Sequence, residues 1–198
     1  MPYPPMTPAK YLRRSLPTLV LLLVALVTGC GSADQQGSAG GPLNGPDYAD
    51  AGSGKECIPE KEGGSVTFGE DELHNYGSKA VVIDKVTLKK ASGLHLVEAV
   101  IVPTSTAFIG LSTGYPPVPE ARSGPGIHWA HRREALGATV APQPDNTKVA
   151  NNLVLHLQVT AASGVHMAGV LVHYHVGDSD YVWHNVLGLT VETKKKSC

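Results

Sequence analysis

From about residue 64 to the end of the chain, apolar and polar residues alternate with a period of two, and long period-3.6 stretches are absent. The alternation predicts strands at 64–68, 80–89, 94–102, 106–111, 137–141, 151–160, 168–176 and 181–191. Breaks between them carry turn chemistry: Ala91-Ser92-Gly93, Ser163-Gly164 and Gly177-Asp178-Ser179-Asp180. In 151–160 the alternation sends Leu153, Leu155, Leu157 and Val159 to one face. The 94–102 run is apolar on both faces, which predicts a central strand. Residues 112–126, rich in proline and glycine, read as an excursion over one end. Eight short strands with regular turns predict an all-β fold, an immunoglobulin-like β-sandwich. A cupredoxin-like sandwich has the same pattern, and alternation alone does not separate the two. No internal repeat is visible.

The first thirty residues follow a different rule. Lys10, Arg13 and Arg14 precede a short apolar run from Leu16 to Val27, and small residues follow. This is the three-part layout of an export signal. Interrupted by Pro17, the run is shorter than the ~20 apolar residues a spanning helix needs. It closes on Leu26-Val27-Thr28-Gly29-Cys30, which resembles the lipobox of bacterial lipoproteins. That resemblance implies cleavage before Cys30 and attachment of a diacylglyceryl group to its thiol. Acyl chains contribute ~0.8 kcal/mol per buried methylene, so two or more anchor stably. Arg13-Arg14 also resembles a twin-arginine signal, but Pro17 stands where that motif continues apolar, so ordinary export is expected.

Glycine, serine, alanine and short polar residues fill 31–55, with almost nothing to bury. Such composition predicts a flexible linker spanning roughly 25 to 30 Å. The expected organisation is therefore a signal peptide over 1–29, a lipidated cysteine with its linker over 30–55, and a β-sandwich over 56–198. The 143 residues of that module are enough for one core. Without the signal the chain keeps 13 Lys and Arg against 17 Asp and Glu, a formal net charge of −4. Its basic residues are scattered apart from Lys194-Lys195-Lys196, so no nucleic-acid partner is expected. Cys57 and Cys198 bracket the module, and in an oxidising compartment they read as a disulfide.

Nine histidines in 198 residues draw attention to metal chemistry. His173 and His175 share one face of the strand 168–176. If residues 177–180 form the turn, Val176 pairs with Tyr181 and His173 lies opposite His184, with Cβ atoms ~5 Å apart. His156 would join that patch if its strand were adjacent. Three imidazoles on one rigid face suit Zn or Cu. A type-1 copper centre fits poorly, because it needs a cysteine thiolate and both module cysteines are assigned to the bridge. His128 and His131 have the spacing of one helical turn, but no glutamate follows His128 and the HExxH signature is absent. Glu70, Asp71 and Glu72 before His74 fit no EF-hand and read as a solvated turn. No Gly-x-Ser-x-Gly elbow or phosphate loop is present.

These features imply a noncatalytic binding module, lipid-anchored at the extracytoplasmic face of the cell membrane. Its partner would be an envelope protein, a cell-wall component or a small ligand. Tyr115, Pro116, Pro117 and Trp129 mark the expected contact region, since loops carry function on such scaffolds. The alternative is copper or zinc handling through His173, His175 and His184. The module's pattern also resembles secreted β-domains common in Gram-positive bacteria, a likeness that carries no site residues.

Overall fold

Alternation along each strand builds two facing layers. The computed structural model describes residues 40–44, 54–105, 107–143 and 150–198. The segment expected to be an export signal, Cys30 and most of the expected linker lie outside the described residues. No helix among the described residues is long and apolar enough to cross a membrane.

The first half of the fold runs through β1 (Lys55–Pro59), β2 (Ser65–Leu73), β3 (Val81–Lys89), β4 (Leu94–Thr104) and β5 (Gly110–Thr113). A one-turn helix α1 (Pro119–Arg122) and a 3-10 turn (Trp129–His131) follow. The rest comprises β6 (Arg133–Glu134), β7 (Thr139–Val140), β8 (Ala150–Val159), β9 (Val165–Met167), β10 (Gly169–Val176), β11 (Ser179–Asn185) and β12 (Gly188–Glu192). One layer has the order β5-β2-β8-β4-β6. The other contains β11-β10-β3-β7 and, as its continuation, β1-β12-β9. These last two sets are one layer because β9 and β10 are separated by Ala168 alone. Their hairpin partners also stay close to register, Val170 with Asn185 and Met167 with Leu189. At the irregularity Gly169 has φ 142°, and a side chain there would strike the Asn185 carbonyl. β1 closes this layer as a parallel strand on β12.

The fold is an all-β sandwich. The order β2-β8-β4 against β3-β10-β11 reproduces the B-E-D against C-F-G arrangement of an immunoglobulin-like sandwich. Between the layers, Leu153, Leu155, Leu157 and Val159 of β8 meet Ile83 of β3 and Val170, Val172 and Tyr174 of β10 in one core. Each fully buried aliphatic side chain stabilises by about 1.5–3 kcal/mol. Cys57 of β1 is bonded to Cys198, 141 positions away, with Cα atoms 6.0 Å apart.

Where the structure departs from alternation, packing explains it. β1 has only Ile58 buried, so its residues carry no periodic signal. The expected strand 181–191 divides into β11 and β12 at residues 186–187. β2 runs past 64–68 to Leu73, because a register shift between Phe68 and Asp71 lets it stay paired with β8. The acidic run is therefore strand, not a solvated turn, and Asp71 is buried. Residues 40–44, inside the expected linker, pack against the module. Leu43 is 1% exposed, its N–H donates to the Tyr174 hydroxyl, and it bridges to Asn75. Asn44 donates from its side chain to the Glu72 carbonyl, and the Tyr76 N–H donates to Pro42. Gly41 passes so close to Tyr174 and Tyr181 that a Cβ would collide with both rings' atoms. Residues 40–44 are thus part of the module.

Strand β4 is apolar on both sides because it serves two cores. Ala99 and Ile101 face the main core. Val100 and Val102, with Val154 of β8, face outward and are covered by Ile109 and Trp129 from the excursion between β4 and β6.

Candidate functional site

The excursion is fastened to the outer face of the β5-β2-β8-β4-β6 layer by specific hydrogen bonds. Ile109 N–H donates to Oδ1 of the buried Asn152 at 2.8 Å. Thr67 Oγ1 donates to the Gly114 carbonyl at 2.6 Å, and the Gly114 N–H donates to Ser65 at 2.7 Å. The His128 N–H donates to Pro103 at 3.0 Å. Under this cover the strand register aligns four polar side chains. Ser112 of β5 lies opposite Thr67 of β2, Thr67 opposite His156 of β8, and His156 opposite Glu98 of β4. The Tyr115 ring stacks flat on His156, with centroids 4.2 Å apart and planes 4° from parallel. It meets Trp129 edge-on at 6.0 Å, and the Arg132 guanidinium lies 4.9 Å above Trp129.

Burial sets the electrostatics here. It pushes the Tyr115 phenol well above its ordinary value, and the Glu98 carboxylate nearby adds to the effect. Burial also lowers the His156 imidazole, against the opposing pull of Glu98. His156 Nε2 lies 3.1 Å from Ser65 Oγ. That pairing is the beginning of a nucleophile, but the glycine amides beside it are already engaged. Gly63 donates to Val159, Gly64 to Lys61 and Gly114 to Ser65 itself, so none is left to hold an oxyanion.

Of the two residues expected to form a contact surface, Trp129 is 8% exposed and sits in the second core. Its size and the apolar outer face of β4 make it a cover rather than a contact. Tyr115 is half-buried, with its hydroxyl enclosed beside the Glu98 carboxylate. The exposed apolar groups of the excursion are instead Phe108, at 54%, and Val118, at 45%. Nothing in the linear pattern marks these two, because their exposure depends on how the excursion lies on the sheet.

The histidine patch takes another form. Val176 pairs with Ser179, so Gly177 and Asp178 alone make the turn. The register is displaced by two residues from the expected one. His173 faces Val182, His175 faces Asp180, and His184 faces Leu171. His175 Nδ1 contacts the two Asp84 carboxylate oxygens at 2.8 and 3.0 Å. His156 belongs to the opposite layer and cannot join them. Among the described residues no three His, Cys, Asp or Glu side chains are grouped to hold a metal ion. His128 and His131 stack with ring centroids 6.0 Å apart, both exposed.

A buried carboxyl stands apart from this face. Asp71 receives a hydrogen bond from Asn185 Nδ2, while its Oδ2 has no partner. Burial pushes it up to about 7, with the Asn185 bond opposing and Glu70 adding. No protein-family model and no curated protein matches the chain.

Proposed function

We propose that the protein is a lipoprotein, anchored through Cys30 outside the cell membrane, whose sandwich is a noncatalytic binding module. The contact element is the excursion between β4 and β6, which presents Phe108 and Val118 to an envelope protein or cell-wall ligand. One observation carries this reading. Apart from the Tyr115 hydroxyl, which lies against Glu98, six buried side-chain polar atoms lack a partner among the described residues, and three of them fall between Thr104 and Arg122: Thr104 Oγ1, Ser112 Oγ and Arg122 Nε. Such groups are rare in folded proteins, and each costs about 1–3 kcal/mol if left unpaired. Their concentration in one segment that also exposes large apolar side chains supports a surface completed by something outside the chain. Loops laid on a rigid sheet are a common place for such surfaces.

The test is site-specific photo-crosslinking on intact cells, with a photoreactive phenylalanine at Phe108 and a control at Lys195. The expected result is a discrete adduct from position 108 that Val118→Asp abolishes. Identical adduct patterns from both positions would remove the excursion from consideration. The anchor is tested separately by Cys30→Ala, which is expected to move the protein from the membrane fraction to the soluble one.

A further inference from the structure

We propose that the free edge of β3 is a strand-addition site for an extended partner segment that alternates apolar and acidic residues. This surface is separate from the excursion and does not rest on it. β7 pairs only with Val81 and Val82, and Ile83 completes that contact through Gly137 and Ala138. From Asp84 to Lys89, no strand among the described residues pairs with β3 on that side. The Lys89 carbonyl accepts from Ala168, so residue 89 aims its backbone at the β9–β10 strand. By the period-two rule, Leu88 and Val86 aim theirs the other way. Two N–H and C=O pairs are therefore open to a new strand.

Beside this edge lies a groove of about 390 Å³ whose apolar lining is Val86, Leu96, Val97, Ala99 and Leu136, with charged residues of both signs also on its walls. Val97 is 50% exposed and Leu136 66%, an unusual exposure for aliphatic side chains that lie together. The opposite wall, β4, is a poor edge because Val97 sits in a bulge between Leu96 and Glu98. An added strand would therefore join β3 and lay every second side chain over the groove.

Charge chooses the partner. Lys85, Thr87 and Lys89 project from the face opposite the core, where they oppose His173, Leu171 and Gly169 of β10. Among the described residues the one ion pair is His175 with Asp84, so neither lysine has a carboxylate partner. Residues directly opposite on a neighbouring strand interact, and opposite charges are favourable there. A segment with acidic residues four apart would meet Lys85 and Lys89. Its apolar residues would point inward, over the groove's Val86, Leu96, Ala99 and Leu136. A second copy of the chain is a poor occupant, since its own β3 would bring lysines against lysines.

The probe is the peptide Ser-Glu-Val-Thr-Val-Glu-Ser, capped at both ends, titrated into the full-length protein by fluorescence anisotropy. Hydrogen exchange is followed by NMR. The expected result is saturable binding with slowed exchange at the Val86 and Leu88 amides. Lys85→Glu/Lys89→Glu changes only exposed or half-buried side chains, and it should weaken binding about tenfold. A peptide with lysine in place of both glutamates should then prefer the variant. No binding, equal affinity for both proteins, or protection that spares Val86 and Leu88 would each overturn the proposal. Self-association of the wild-type chain through this edge would overturn it as well.

Discussion

Asp71→Asn is the sharpest probe of the sandwich interior. The native carboxyl is 4% exposed, accepts one hydrogen bond from Asn185, and has its second oxygen unpartnered. Burial raises it from 3.8 to about 7. The folded chain therefore holds a proton between about pH 4 and pH 7 that the unfolded chain has released. The resulting stability is fully present below the unfolded value and is lost as pH rises through about 7. Each unit is worth 1.36 kcal/mol, so the whole effect is about 4 kcal/mol, of which roughly 2.5 falls between pH 5 and pH 8.5. Other groups titrate in the same window. Glu70 is also raised by burial and acts in the same direction. His156 is lowered, so its contribution is present at high pH and lost on acidification. Comparing wild type with Asp71→Asn removes these shared terms. Urea unfolding at pH 5 and pH 8.5, with the disulfide intact, gives both stabilities. Wild type should lose roughly 2.5 kcal/mol more than the variant over that interval, or about 5–10 °C in Tm. Parallel losses in the two proteins would refute a raised carboxyl at position 71.

Four further outcomes follow from the packing. Reducing the Cys57–Cys198 bridge opens a loop of 141 positions, and the chain-entropy estimate of about 4–5 kcal/mol should appear as a lower urea midpoint in dithiothreitol. Trp129→Ala should cost about 3–5 kcal/mol, because it empties the second core beneath the excursion, and the Tyr115 ring resonances should broaden with it. Leu43→Ala should cost about 2–5 kcal/mol by differential scanning calorimetry, whereas a free linker would show no change. Because His173, His175 and His184 do not converge, His173→Ala/His184→Ala should leave the Zn²⁺ calorimetric isotherm of the protein unaltered.

Alternation by itself determined where the main strands lie and which face of each is buried. A period of two is a local property, and burial of one face of each strand is enough to make it visible, so β3, β4, β8 and β10 fall where the pattern places them. The bridge between Cys57 and Cys198 was legible because the module holds only two cysteines, which leave one pairing. Partnership and offset were decided only by the tertiary structure. A two-residue turn at Gly177-Asp178 slides the final hairpin by two positions, which preserves every facing and alters every pair. Asp71 turns inward through a bulge that its acidic neighbours conceal. Leu43 is one apolar residue among glycines, and its burial depends on Tyr174, 131 positions away. The row Ser112–Thr67–His156–Glu98 exists only because four strands come into register. Periodicity records which side of a strand is apolar. Long-range packing chooses which strands meet and at what offset, and the candidate site is built from those choices.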